Sequence, residues 1–130
     1  MSQDKLELLR PILAEWAKGN LWVGAEIMAP DITFRAAPPA NFVAHGLEET
    51  VRLVTDVLDH WTDYRIETDE LQDLGEDSVL AAGRQRGTGK LSGAEADYPI
   101  FVVWKFRENE VVGVYFQGAR DAALKAAGLA

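Results

Sequence analysis

Three side chains in this 130-residue chain have the chemistry for proton transfer or oxyanion binding: His45, Arg84 and Arg86. His45 lies between a Pro-rich stretch and Gly46, just before a helical pattern. At a pocket mouth its imidazole could act as a base near neutral pH. In the other reading it is a helix-start histidine that bonds to loop backbone. Arg84 and Arg86 share one strand parity, so both face in or both face out. Facing in, they would hold a carboxylate or enolate oxygen and polarise a carbonyl. Facing out, they are solvated or pair with Glu95 or Asp97 across a hairpin. The opposite parity, Val79, Ala81, Gly83 and Gln85, is the more apolar and favours the outward reading.

A second set could hold a ligand. Trp16, Phe34, Trp61, Tyr64, Val102, Trp104 and Phe116 come from separate elements that should converge beneath one sheet, with Trp22 and Phe42 beside them. Such a lining, apolar with few polar groups, suits a hydrophobic or polycyclic small molecule. The alternative is that these side chains fill the space completely. Tyr64, Tyr98 and Tyr115 could each donate a hydrogen bond into a pocket, or be half-buried packing residues. Asp56, Asp59, His60 and Asp63 fall within two helical turns. They read as a charged outer face, because loosely placed ligands on a solvated helix make a poor metal site. Gly89-Lys90 is no phosphate loop, since that motif needs Gly where Arg84 stands and Ser or Thr where Leu91 stands. There is no Gly-x-Ser-x-Gly elbow either. No metal and no cofactor is expected.

Composition narrows the partners. The net charge of -8 disfavours phosphate backbones and anionic membrane surfaces, so neither nucleic acid nor a membrane is expected. With no cysteine, thiolate catalysis and Cys-ligated zinc are excluded, and a reducing cytoplasm suits the chain. The N-terminal residues carry no apolar signal core, and no window approaches the run of about 18 apolar residues that a span needs. The length suits one domain over residues 1–130, and the 48% hydrophobic content is enough for one core.

These side chains need elements to position them. Leu6, Leu9, Ile12, Leu13 and Trp16 recur at helical spacing, with Asp4 as N-cap and Pro11 inside the pattern. Pro11 should kink this helix or mark its first turn. A second helix is expected from Asn20 to Met28, then a short strand over Asp31–Arg35 and a loop from Ala36 to Ala44 with Pro38-Pro39. Leu47, Val51, Val54, Leu58 and Trp61 line a third helix. From Tyr64 the pattern turns to strands. The apolar parity slips between Thr68 and Leu71, which predicts a bulge. Strands follow over Ser78–Lys90, Ala96–Arg107 and Val111–Gln117. The glycines of Ser78–Lys90 suit sharp curvature or close approach of another backbone. A helix from Ala119 closes the chain. The order predicts an α+β fold: a curved antiparallel sheet with three N-terminal helices and a short C-terminal helix around one pocket.

Both parities of Ile100–Phe106 are largely apolar, whereas alternation is expected where one face meets water. Both faces should therefore be covered. A homodimer through the sheet is the expectation, and a tail helix over the second face is the alternative.

Several segments in order resemble the SnoaL-like polyketide cyclase family of the nuclear-transport-factor-like superfamily. They are Ala29-Pro30-Asp31, the stretch Ala82 to Gly89 with Ser92-Gly93, Val103-Trp104 before the Arg107–Val111 turn, and Ala123 to Leu129 at the end. The resemblance spans nearly the whole chain. It implies a cone-shaped sheet around a pocket, and small-molecule chemistry such as polyketide cyclisation, steroid isomerisation, epoxide hydrolysis or dehydration. The family's enzymes tend to place an acidic residue at three inward positions, which here are Ala36, Val102 and Phe116. All three are apolar, which counts against the isomerase and epoxide-hydrolase readings. The leading expectation is a small-molecule enzyme of the cyclase, isomerase or dehydratase kind. It would act on an apolar substrate by cofactor-free proton transfer, with His45, Arg84 or Arg86 as its reacting groups. The alternative is a ligand-binding or dimerisation module without catalysis.

Overall fold

Apolar spacing and glycine placement account for most of the architecture. In a computed structural model describing residues 5–36, 41–75 and 77–129, the chain forms three α-helices and six strands. They run α1 (Lys5–Trp16), β1 (Met28–Ala36), β2 (Phe42–His45), α2 (Leu47–Leu58), β3 (Trp61–Gly75), β4 (Ser78–Gly89), β5 (Glu95–Arg107), β6 (Glu110–Gln117) and α3 (Arg120–Ala126). Asp4 and the Pro38-Pro39 pair lie outside the described residues.

The strands make one sheet in the order β2-β1-β6-β5-β4-β3. The sheet is mixed and not wholly antiparallel, because β1 pairs parallel with β6. The expected three N-terminal helices also need correction. The Asn20–Met28 segment is a run of turns ending in a short 3-10 helix, Ala25–Ile27. Gly24 breaks the helix there with a φ of 106°, and an added Cβ would sit 2.9 Å from Ile12 Cγ2. The expected loop to Ala44 contains an edge strand, β2, paired to β1 from Thr33↔His45 to Ala36↔Phe42. Strand β1 begins at Met28, so Pro30 is inside it. The β1–β6 register slips between Met28 and Thr33, and a residue without N–H is tolerated at such a slip.

Three register shifts, at Thr62/Arg65, Thr68/Glu70 and Asp73/Gly75, interrupt the long β3–β4 pairing. At the second, β3 crowds β4 so closely that a Cβ on Gly83 would lie 1.8 Å from the Glu67 carbonyl oxygen. Helix α1 runs through Pro11, which is exposed, and buries Leu9, Ile12, Leu13 and Trp16. These meet Ile32, Val79, Ala81, Val102, Trp104, Val111 and Val114 in the main core on the concave face. The ring centroids of Trp16 and Trp104 are 5.2 Å apart. Trp16 Nε1 donates to the Val23 carbonyl at 3.0 Å, whereas Trp104 Nε1 is buried without a partner.

The second apolar parity of β5 faces the convex side. There α3 packs Ala123 and Ala127 on Leu80 and Val103, with Phe101, Tyr115 and Leu124 alongside. A single chain thus supplies cover for Val103 (0% exposed), the centre of that face. No helix among the described residues is long and apolar enough to cross a membrane.

Candidate functional site

A cavity of about 830 Å³ opens between the concave sheet face and α2. Sheet register explains its floor. Ala36, Phe116, Val102 and Ala81 lie side by side on successive strands, so the three positions matched to family carboxylates form one apolar rung. Ala36 and Phe116 border the cavity. Val102 is 2% exposed and sits in the packed core. Along one wall the rings form a chain: Trp16 with Phe116 at 6.3 Å, Phe116 with Phe34 at 5.3 Å, and Phe34 with Phe42 at 5.9 Å between centroids. Spacings in this range favour aromatic packing.

Helix α2 forms the opposite wall. Leu47, Val51, Val54, Val57 and Leu58 line the cavity, yet none is fully buried, and Thr50 is the buried residue of this helix. An amphipathic face that stays half-exposed is the mark of a helix packed over empty space. The Thr50 hydroxyl is already committed, donating to the Gly46 carbonyl at 2.8 Å.

The polar groups of the interior come from β3 and β4. Tyr64 and Gln85 both line the cavity, and the Tyr64 hydroxyl donates to Gln85 Oε1 at 2.7 Å. Burial pushes the Tyr64 hydroxyl up to about 12, so it remains a protonated donor at neutral pH. Trp61 packs beside it, with ring centroids 6.0 Å apart.

At the mouth are Asp56, His60 and the half-exposed Trp22 and Tyr98. His60 Nδ1–H donates to the Asp56 carbonyl at 2.8 Å, which leaves Nε2 as the acceptor of the neutral ring. Asp56 is the one acidic residue that borders the cavity among the described residues. No group of three possible metal-ligating side chains is found among them.

The structure thus brings Trp16, Phe34, Trp61, Tyr64 and Phe116 together around one space, with Trp22 and Phe42. Val102 and Trp104 lie in the core next to it. His45 is exposed at the end of β2, and its backbone N–H donates to Glu49 Oε1 at 3.0 Å, tying the start of α2. Arg84 is on the convex face, bonded through Nε to Asp97 Oδ1. That contact, helped by Arg86 and Arg65, holds the Asp97 carboxyl below the usual carboxylate range. Arg86 touches the cavity's edge, while its Nε lies 3.2 Å from Glu67 Oε1 and 3.7 Å from Asp97 Oδ1.

Gln85 and His60 are the residues that sequence reasoning did not place here. A signal existed for the first, a lone amide on an otherwise apolar strand parity. His60 carried none, because a charged face and a pocket rim look alike in sequence.

Residues 9–114 match the family model of the SnoaL-like domain. The chain belongs to the SnoaL-like family. Solved structures agree on the nuclear-transport-factor-like (NTF2-like) fold of this SnoaL-like chain. An NTF2-like protein from Burkholderia thailandensis superposes with a TM-score of 0.79 at 22% identity, covering 98% of this chain and 97% of that one. An NTF2-like protein of unknown function from Burkholderia pseudomallei gives 0.77 at 18% identity, covering 95% and 96%. A protein from Jannaschia sp. CCS1, assigned by likeness as a SnoaL-like polyketide cyclase, gives 0.73 at 16% identity, covering 94% and 90%. No curated protein matches the chain.

Proposed function

We propose that this SnoaL-like domain binds an apolar, ring-containing small molecule in the cavity under α2. The observation that carries the reading is a space of about 830 Å³ walled by aromatic and aliphatic side chains from helices and strands alike, with Tyr64 and Gln85 as its inner polar pair. Volumes of roughly 300–1,000 Å³ with few convergent polar groups are typical of small-molecule sites. The test is thermal denaturation with fluorene, a rigid apolar tricycle with no hydrogen-bonding group. Saturable stabilisation is expected, since a ligand that binds only the folded state raises the melting temperature. No shift up to the solubility limit would refute the reading.

A second reading adds catalysis of the cyclase, isomerase or dehydratase type by cofactor-free proton transfer. Family membership supports it, as does His60, whose Nε2 is left as an acceptor at the mouth. In this reading His60 is the base; Arg86 reaches the cavity's edge but shares the outward parity of Arg84 and is paired with Glu67 and Asp97, so it is not assigned a role. His45 and Arg84 do not border the cavity and have no role in it. Recovery of a bound ligand unaltered favours binding alone. Turnover that survives His60→Ala removes His60 from the mechanism. A homodimer through the sheet is proposed as well, and sedimentation velocity reads it directly.

A further inference from the structure

Within an apolar cavity the few polar atoms decide which ligand fits, and here their donor and acceptor roles can be derived. Tyr64 carries a hydroxyl that is one donor and one acceptor, and Gln85 carries a carbonyl acceptor and an NH2 donor. The O–H of Tyr64 is protonated at neutral pH and needs an acceptor. Among the described residues its hydrogen-bond partner is Gln85, at 2.7 Å. If the amide were turned over, the NH2 would face the tyrosine oxygen. The phenolic O–H would then lose its acceptor, and the amide oxygen would be released into apolar surroundings. Each unmet polar group in such surroundings is costly. The tyrosine therefore fixes the amide with Oε1 engaged.

The consequence lies at Nε2. It makes no hydrogen bond to any of the described residues. Gln85 projects from the concave parity of β4, opposite Ile66 on β3 and Tyr98 on β5, and all three side chains line the cavity. Its neighbours Trp61, Ile66 and Ile100 offer no acceptor side chain. We propose that Tyr64 and Gln85 form an oriented pair that holds a free N–H donor toward the ligand, so the cavity selects a ring system bearing an acceptor oxygen, a ketone or quinone carbonyl, over its hydrocarbon counterpart. This rests on the small-molecule reading above and specifies its ligand class. Gln85 is the specificity-determining residue, and Tyr64 is the positioning residue that acts through it.

Three tricycles of nearly one shape test this: fluorene with no polar group, 9-fluorenone with an acceptor only, and 9-fluorenol with a donor and an acceptor. Dissociation constants are read by calorimetry on the wild-type protein, so the central comparison needs no variant. Fluorenone is expected to bind about tenfold tighter than fluorene, the value of one well-made hydrogen bond. Fluorenol, whose oxygen can also accept from Gln85 Nε2, should likewise bind more tightly than fluorene. In Gln85→Leu, fluorenone should lose its advantage while fluorene binds as before. In Tyr64→Phe, the amide is free to turn and its N–H is no longer held toward the ligand, so the advantage of fluorenone should shrink while fluorene is unmoved. A purely structural tyrosine would weaken all three ligands alike. If fluorene binds and fluorenone binds no better, the oriented pair is overturned and the cavity reading stands. If neither binds, the cavity reading fails and this inference with it.

Discussion

Two indoles packed against each other in the core, tilted by 41°, differ in one atom's fate. Trp16 Nε1 reaches the Val23 carbonyl, but Trp104 Nε1 is buried with no partner. A buried donor left unmet offsets part of what its ring contributes by packing. Trp104→Phe removes ring area and an unmet N–H together. Trp16→Phe removes ring area and a satisfied bond. With residue exposures of 1% and 3% the lost areas are similar, so the bond decides. Trp16→Phe should be the more destabilising by about 1 kcal/mol. Urea denaturation of both variants checks the order, and equal losses would mean that Trp104 Nε1 is hydrogen-bonded in solution. At this scale the sequence was partly legible. The aromatic set around the cavity followed from residue type and parity, and the outward side of Arg84 was favoured by the apolar residues opposite it. That Trp104 packs beside the cavity and not in its wall depends on how α1 lies across the sheet, which no local pattern encodes.

Elements were most legible where period and turn chemistry agree. Helices α1 and α2 and the β3–β6 meander follow from the 3.6 and 2.0 repeats, except that α2 stops at Leu58 and Trp61, expected on its face, opens β3; the slip between Thr68 and Leu71 marks the bulge where the β3–β4 register shifts. Segment 20–28 misled because its spacing is helical while Gly24 adopts a φ of 106° against Ile12. The parallel pairing of β1 with β6 joins segments far apart in sequence, so local pattern is silent on it. Gly83 is the element-scale constraint. Its φ is ordinary, so its requirement is space: a Cβ would lie 1.8 Å from the Glu67 oxygen, a backbone atom that no side-chain rotation can move. Gly83→Ala should therefore cost about 3 kcal/mol or more, at the upper end for overpacking. Gly118, where an added Cβ would meet nothing within 4 Å, should tolerate alanine with little loss. A cooperative unfolding curve for Gly83→Ala that overlays the parent's would show that β3 and β4 are not so tightly apposed.

At the scale of the whole molecule the question is whether the sheet and its helices enclose a hollow. The core beside Trp104 is filled, with Val79, Val111 and Val114 at 0% exposure. The space under α2 is bordered by side chains that bury only part of their surface against protein. The same substitution at two valines separates these environments. Val79→Phe adds a ring's excess volume where none is free, and overpacking of this kind costs about 1–3 kcal/mol. Val54→Phe adds it from α2 into the cavity, where it exchanges solvent contact for aromatic neighbours. Its melting temperature should match or exceed the parent's. The same ring occupies space that a ligand needs, so fluorene affinity should fall at least about tenfold, the equivalent of 1.4 kcal/mol. Unchanged stability with lost binding is a combination that neither a solid interior nor a surface-bound ligand produces. If Val54→Phe destabilised as much as Val79→Phe, α2 would rest on a filled core, and the amphipathic face of this helix would have to be explained as ordinary packing.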